Sequence, residues 1–196
     1  MPRGRKRTFD EGVALQTAME LFWRRGYEGT SISDICQALN IQPPSLYAAF
    51  GSKRDLFAKA LDRYMCRPTD DLREAMAEAT AREAALRLLT RRVEAFTAPG
   101  QPPGCMTVQA ALACGEAHGE IVDLVTAARE ETRKTVLERF EKAVADGDLP
   151  MGTDCGALAR YLMATLYGFS VEAASGAPRE ELLAAATLAA QLVPAT

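Results

Sequence analysis

Thr30-Ser-Ile-Ser-Asp-Ile-Cys-Gln-Ala-Leu-Asn-Ile-Gln-Pro-Pro-Ser-Leu-Tyr-Ala-Ala-Phe-Gly-Ser-Lys-Arg-Asp-Leu-Phe57 is the stretch from which the fold is read. Ser31-Ile-Ser-Asp34 is a capping box, in which a hydroxyl and a carboxylate three residues on satisfy each other's backbone N–H groups. The helix it opens carries Ile32, Ile35 and Leu39 at spacings of three and four, and Asn40 ends it. Gln42-Pro43-Pro44 starts another helix, because the N–H that proline lacks has no partner in a first turn. Leu46 and Phe50 face inward there, and Gly51 is the stop. Ser52-Lys-Arg-Asp55 is a further capping box, opening a longer helix with Leu56, Phe57, Ala60, Leu61 and Tyr64 on one side. Helices as short as the first two bury little core by themselves. Such units serve chiefly to lay one helix along the major groove of DNA.

Upstream, Thr8-Phe-Asp-Glu11 reads as a capping box with Thr8 at the N-cap. It predicts a helix from Phe9 to about Arg25, with Val13, Ala14, Ala18, Leu21 and Phe22 on its apolar side and Gly26 at its end. Downstream, Pro68 bends or ends the helix that Ser52 opened. Helical periodicity then runs from Leu72 to Phe96 with a break near Thr80, up to the loop Pro99-Gly-Gln-Pro-Pro-Gly104. Further helices are expected near 105–117, 120–145, 155–175 and 179–193. Ala and Leu dominate the apolar residues and β-branched clusters are scarce, which favours an all-α fold. The expected organisation is a helix-turn-helix head over residues 1–55 and a helical regulatory and dimerisation body over 56–196.

The net charge of −3 hides an asymmetry. Residues 1–55 hold eight basic and six acidic side chains, a net +2, which leaves −5 on the rest of the chain. A basic head on an acidic body points to a polyanion at the head alone. Cysteines 36, 66, 105, 114 and 155 are odd in number and irregular in spacing, which suits free thiols in a reducing cytoplasm. No apolar run reaches the ~20 residues that span a bilayer. The basic start lacks the apolar stretch of a secretory signal, so a cytoplasmic protein with no membrane partner is expected. One histidine, no glycine-rich phosphate loop and no base-activated nucleophile leave no enzyme inventory and no implied cofactor.

For DNA, the helix beginning at Pro43 is the groove element. Gln42, Pro43, Pro44, Ser45 and Tyr47 stand at its N-terminal end, where Gln can pair with adenine and the hydroxyls with phosphate. Helix starts at Thr30, Ser31 and Ser52, together with Lys53, are candidate phosphate anchors. Arg5 and Lys6, beside Arg3 and Arg7, form a basic arm able to follow the backbone or enter the minor groove.

Residues 9–57 resemble the DNA-binding head of the tetracycline-repressor (TetR) family of bacterial regulators. The resemblance rests on Ala18-Met-Glu-Leu-Phe-Trp-Arg-Arg-Gly-Tyr, Gly29-Thr-Ser-Ile-Ser-Asp-Ile and Ser45-Leu-Tyr-Ala-Ala-Phe-Gly-Ser-Lys-Arg-Asp-Leu-Phe. It implies a homodimer whose paired heads bind a palindromic double-stranded operator, usually as a repressor. It also implies a variable body that takes a small-molecule inducer. Ala48 and Ala49 depart from the pattern, standing where the family often has His, Tyr or Trp and removing contacts to phosphate and base.

In the body, Phe96, Cys105, Met106, Gln109, Met163 and Tyr167 are candidate pocket residues, apolar with a few polar handles; a packed core is the other reading. Cys105 falls at a helix start, where unpaired N–H groups favour a thiolate open to electrophiles or oxidants; it also fits as a small packed residue. Cys114 and His118 lie four apart on one expected helical face, which raises a copper reading. Cys105 sits nine residues from Cys114, about 13 Å along such a helix, too far to share the ion. Cys36, Cys66 and Cys155 read as structural. Leu158, Leu162, Leu166 and Phe169, with Leu182, Leu188 and Leu192, give the last two helices apolar area for a four-helix dimer interface or for an intrachain core. The expected function is a regulator released from its operator by an inducer. A thiol- or copper-responsive regulator of the same fold, and a ligand-binding module without specific DNA binding, are the alternatives.

Overall fold

The computed structural model describes residues 9–66, 69–110, 114–115 and 118–194, with backbone only at 69–71. Among these residues all regular structure is helical. The helices are α1 Glu11–Arg25, α2 Ile32–Leu39, α3 Pro43–Phe50, α4 Lys53–Met65, α5 Thr69–Met76, α6 Ala81–Phe96, α7 Met106–Gln109, α8 Gly119–Ala145, α9 Cys155–Ala174 and α10 Arg179–Gln191.

The capping boxes at Ser31 and Ser52 form with both reciprocal bonds. A third, Thr80 with Glu83, opens α6 at the place where periodicity is interrupted. The expected box at Thr8 does not start α1. Asp10 is the N-cap, its Oδ1 accepting from Gly12 N at 2.7 Å and Val13 N at 3.1 Å. A carboxylate takes both orphan donors and also faces the positive end of the helix dipole. Thr8 itself, like the arm with Arg5 and Lys6 and the break at Pro68, lies outside the described residues.

The expected helix over 105–117 is corrected to one turn, Met106–Gln109, and Cys114 and Gly115 are not helical. Tertiary partners take the carbonyls a longer helix needs. Arg129 Nε donates to Thr107 O at 2.9 Å, and Tyr27 N donates to Ala110 O at 3.2 Å. Those bonds tie α7 to α8 on one side and to the head on the other.

α1 and α4 pack against each other, and α2 and α3 close the head beside them. In the body α6 lies against α10, α9 and α5, while α8 lies against α9. α7 is wedged among α1, α4, α8 and α9. One hydrophobic core runs through head and body. Phe57 of α4 is its hinge, edge-on to Phe22 and to Tyr27, each at 5.2 Å between ring centres. Two turns on, Tyr64 meets Trp23 edge-on at 4.9 Å. The expected division at 55/56 falls within α4, which is continuous across it.

Candidate nucleic-acid interface and regulatory cavity

Leu46 and Phe50 bury one side of α3, and the helix period turns Pro43, Pro44, Tyr47 and Ala48 outward. The α2–α3 turn is set by Asn40 at φ 52°, a left-handed angle that Asn tolerates. Gln42 is the exposed N-cap of α3, and its side chain makes no capping bond. Its amide is thus free of the backbone it precedes. Tyr47 is 48% exposed, and Ser45 half-buried beside it. The exposed face of α3 is the polar and apolar mixture that groove readout uses.

The expected phosphate anchors divide. Thr30 is 0% exposed, and its hydroxyl donates to Leu21 O at 3.2 Å and Gly26 O at 2.9 Å. It fastens the end of α1 to the start of α2 and presents no hydroxyl to a phosphate, which corrects its assignment as an anchor. Ser31 and Ser52 are exposed, yet each hydroxyl already donates to a carboxylate, Asp34 Oδ2 at 2.6 Å and Asp55 Oδ2 at 2.8 Å. Lys53 lies with Nζ 4.2 Å from the centre of the Tyr27 ring, and burial lowers its pKa. Next to it Arg54 pairs with Glu120 of α8 at 2.7 Å. Glu28 accepts from Gly115 N at 2.7 Å and lies 4.0 Å from His118 Nε2. The start of α4 therefore fastens the head to the body as well as facing outward.

The Ser31 and Ser52 hydroxyls and backbone N–H groups hold the Asp34 and Asp55 carboxyls below the usual range. A lowered folded value means that these caps stabilise the head above the ordinary Asp pKa of about 3.9 and are lost as pH falls through the folded values. Asp34→Asn with Asp55→Asn is expected to flatten the acid limb of a plot of melting temperature against pH, between about pH 5 and pH 2.

In the body, Phe96, Cys105, Met163 and Tyr167, all candidate pocket residues, line a common cavity. Tyr64, Met65, Arg92, Thr107, Ala128, Arg129, Thr132 and Leu166 complete the wall. Its volume is about 30 Å³, room for a water or two in the present side-chain positions. Met106 and Gln109 are not among the lining residues. Met106 is fully buried, and Gln109 Nε2 donates to Pro103 O at 2.9 Å, tying down the loop before α7. Tyr64, Arg92 and Arg129 escape sequence reasoning because a single Arg or Tyr on an amphipathic helix carries no periodic signal.

Cys105 is the N-cap of α7 and only 6% exposed. Its N–H donates to Ser170 Oγ at 2.8 Å; Tyr64 Oη donates to its Sγ at 3.3 Å, and Thr107 Oγ1 lies 3.0 Å from the sulfur. Cys105 thus joins α4 and α7 through its thiol and α9 through its backbone N–H, as a packed hydrogen-bonding residue. Burial and the neighbouring thiol push the Tyr64 pKa up, and burial pushes that of Tyr167 up to about 12, so both phenols stay neutral at neutral pH. The copper reading is corrected with its helix: Cys114 is outside any helix and His118 is the N-cap of α8, edge-on to Tyr27. Among the described residues no cluster of His, Cys, Asp and Glu could hold a metal ion. Cys36 is buried and Cys155 partly so, whereas Cys66 is exposed and holds no core together.

The expected dimer interface is also redrawn. Leu162, Leu166, Phe169 and Leu182 are buried within the chain, and Leu158 packs on that core, because α9 and α10 turn those positions toward α6 and α8. Leu188 and Leu192 remain outside at 63% and 62% exposure. On α9 the exposed side carries Ala157, Tyr161, Ala164, Gly168 and Val171 at helical spacing. Small residues on such a face allow close helix–helix approach.

A capped helix-turn-helix head, joined through one long helix to an all-helical body, defines a DNA-binding regulator. Residues 14–60 match the family described as bacterial regulatory proteins, tetR family, and residues 82–187 match the tetracyclin repressor-like C-terminal domain. The chain belongs to the TetR family of transcriptional regulators. It is 31% identical over 98% of its length, and 92% of the relative's, to the HTH-type transcriptional repressor ComR of Escherichia coli (strain K12). It is similar to the TetR-family regulator CifR, as cysteine mutants complexed with 26-bp double-strand operator DNA, at 41% identity and a TM-score of 0.92 over 97% of this chain and 100% of that one. A putative TetR regulator from Rhodococcus sp. RHA1 is 73% identical, with a TM-score of 0.66 over 94% of this chain and 99% of that one. No helix among the described residues is long and apolar enough to cross a membrane.

Proposed function

We propose that the protein is a cytoplasmic, homodimeric repressor that binds a palindromic operator through α3 and is released by a small-molecule inducer in the α4–α6–α8–α9 cavity. The observation that carries this reading is continuity. Tyr64 lines the cavity and Lys53, on the same helix, borders the head's outer surface, so a shift of α4 moves both. A small ligand that displaces Tyr64 then changes the distance between paired heads. The coupling requires about 1–3 kcal/mol of differential affinity between the two arrangements. Lys53 and the α3 face make the DNA contacts in this reading, together with Gln42, Ser45, Ser52 and the arm at Arg5 and Lys6. Dimerisation uses Tyr161, Gly168 and Val171 of α9 with Leu188 and Leu192 of α10.

The decisive experiment is fluorescence anisotropy on palindromes taken from the flanking genomic DNA, across a salt series. A repressor gives a steep fall of affinity with salt and a specific-to-non-specific ratio of about 10³ or more. Equal affinity for every duplex supports instead a module without specific DNA binding. On the correct operator, Gln42→Ala with Tyr47→Ala is expected to cost about 1–3 kcal/mol of binding while melting temperature stays within a few degrees.

A further inference from the structure

We infer that the cavity between α4, α6, α8 and α9 is a site for a small monocarboxylate, with the Arg92 guanidinium as its anion clamp. The inference rests on the inducer-cavity reading and adds the chemical class of the ligand. Two arginines, Arg92 and Arg129, line the cavity, and among the described residues no Asp or Glu does. Arg129 is spoken for: its Nε and Nη2 both donate to Thr107 O, and its Cζ lies 5.5 Å from the Tyr167 ring centre. Arg92 is not. Its Nε is buried and meets no hydrogen-bond acceptor among the described residues. A buried guanidinium donor left unmatched is costly, and a carboxylate is the acceptor whose geometry fits it, by two parallel N–H···O bonds. Tyr64 and Thr107 add hydroxyls on the same wall.

Phe96, Met163, Leu166, Ala128 and Met65 give the rest of the lining a largely apolar character. This suits a short hydrocarbon tail and disfavours a phosphate, whose extra charge would face apolar surface. The present volume of about 30 Å³ is too small for a carboxylic acid of several carbons. Met65 and Met163 supply the adaptable part of the wall, since an unbranched thioether side chain changes rotamer readily. The entering ligand competes for the Tyr64 hydroxyl, now 3.3 Å from Cys105 Sγ, and so loosens the link between α4 and α7.

Trp23 is the single tryptophan and stacks edge-on against Tyr64, so its emission reports on Tyr64. The full-length protein is titrated with butyrate and hexanoate, and in parallel with butyramide and hexanamide, at constant pH and ionic strength. Saturable change in Trp23 emission with a carboxylate is expected, with the matching amide about tenfold or more weaker. Arg92→Gln is expected to bring the carboxylate down to the amide's affinity, and Arg92→Lys, which keeps the charge but loses the fork, to fall between. Helical circular dichroism confirms that each variant folds; if one does not, the wild-type acid–amide pair decides alone. Equal binding of acid and amide, unchanged affinity in folded Arg92→Gln, or no saturable signal up to tens of millimolar with either acid overturns the inference. Operator release separates the two readings. An amide that releases operator as well as its acid leaves the inducer cavity standing and removes the carboxylate class. An acid that binds through Arg92 without altering operator affinity keeps the site and removes its role in induction.

Discussion

A chain carrying Leu188→Glu and Leu192→Glu is expected to sediment as a monomer at micromolar concentration and to lose its preference for the operator. Both leucines lie outward on α10, more than 60% exposed in the single chain, so the substitutions remove little from its own core. In the proposed dimer a second copy would relieve the cost of their exposure, at roughly 25 cal/mol per Å² of apolar surface covered. In a two-fold interface each substitution acts twice, placing up to four carboxylates across one dyad. A single head contacts one half-site, so specific affinity then falls by about 10³-fold or more, toward the non-specific level. Analytical ultracentrifugation and operator anisotropy on the same sample check both halves. A double variant that stays dimeric refutes the assigned face; a monomer that still discriminates operator refutes the paired-head mechanism. As a control, Leu162→Ala, inside the chain's own core, is expected to lower stability by about 2–5 kcal/mol and leave the association state of the folded fraction unchanged.

The other large effect belongs to Phe57. Its ring is fully buried on α4, edge-on to Phe22 and Tyr27, where the head core becomes the body core. Phe57→Ala is expected to destabilise the protein by about 3–5 kcal/mol, a large part of the 5–15 kcal/mol available to a domain of ordinary stability. Urea unfolding monitored by circular dichroism reads the loss directly. Phe57→Leu, which keeps most of the volume, is expected to cost far less; the difference measures the cavity and the aromatic edge contacts. Because the ring joins head and body, Phe57→Leu is also expected to weaken the response of operator binding to inducer more than it weakens operator binding itself.

The local signals in the chain concern neighbours within four residues, and those were legible. Capping boxes at Ser31 and Ser52, proline at the start of α3, Asn40 and Gly51 at helix ends, and inward Leu46 and Phe50 fix the head, because caps and helical periodicity act over one or two turns. Even here the N-cap of α1 is Asp10 and not the expected Thr8, two residues earlier.

Sites built from distant segments were legible only in part. Phe96, Cys105, Met163 and Tyr167, pocket candidates from the sequence, line one cavity, whereas Arg92 and Arg129 carry no such signal, because their roles depend on which helices face them. Thr30 looked like any helix-start hydroxyl until the fold folded Leu21 O and Gly26 O over it. The apolar leucines of α9 and α10 could not be divided between core and surface by period alone, as both helices are apolar on more than one side.

The amino-acid sequence by itself determined the helical head and its short, proline-started third helix, since capping, proline and helical spacing are properties of adjacent residues. Only the tertiary structure decided that α7 stops after one turn, that Thr30 is a buried fastener, that Leu188 and Leu192 rather than Leu162 and Leu166 face outward, and that Arg92 stands unmatched in a cavity. Each of those depends on which group from a distant segment satisfies or covers another, and chain-neighbour chemistry does not encode that partner.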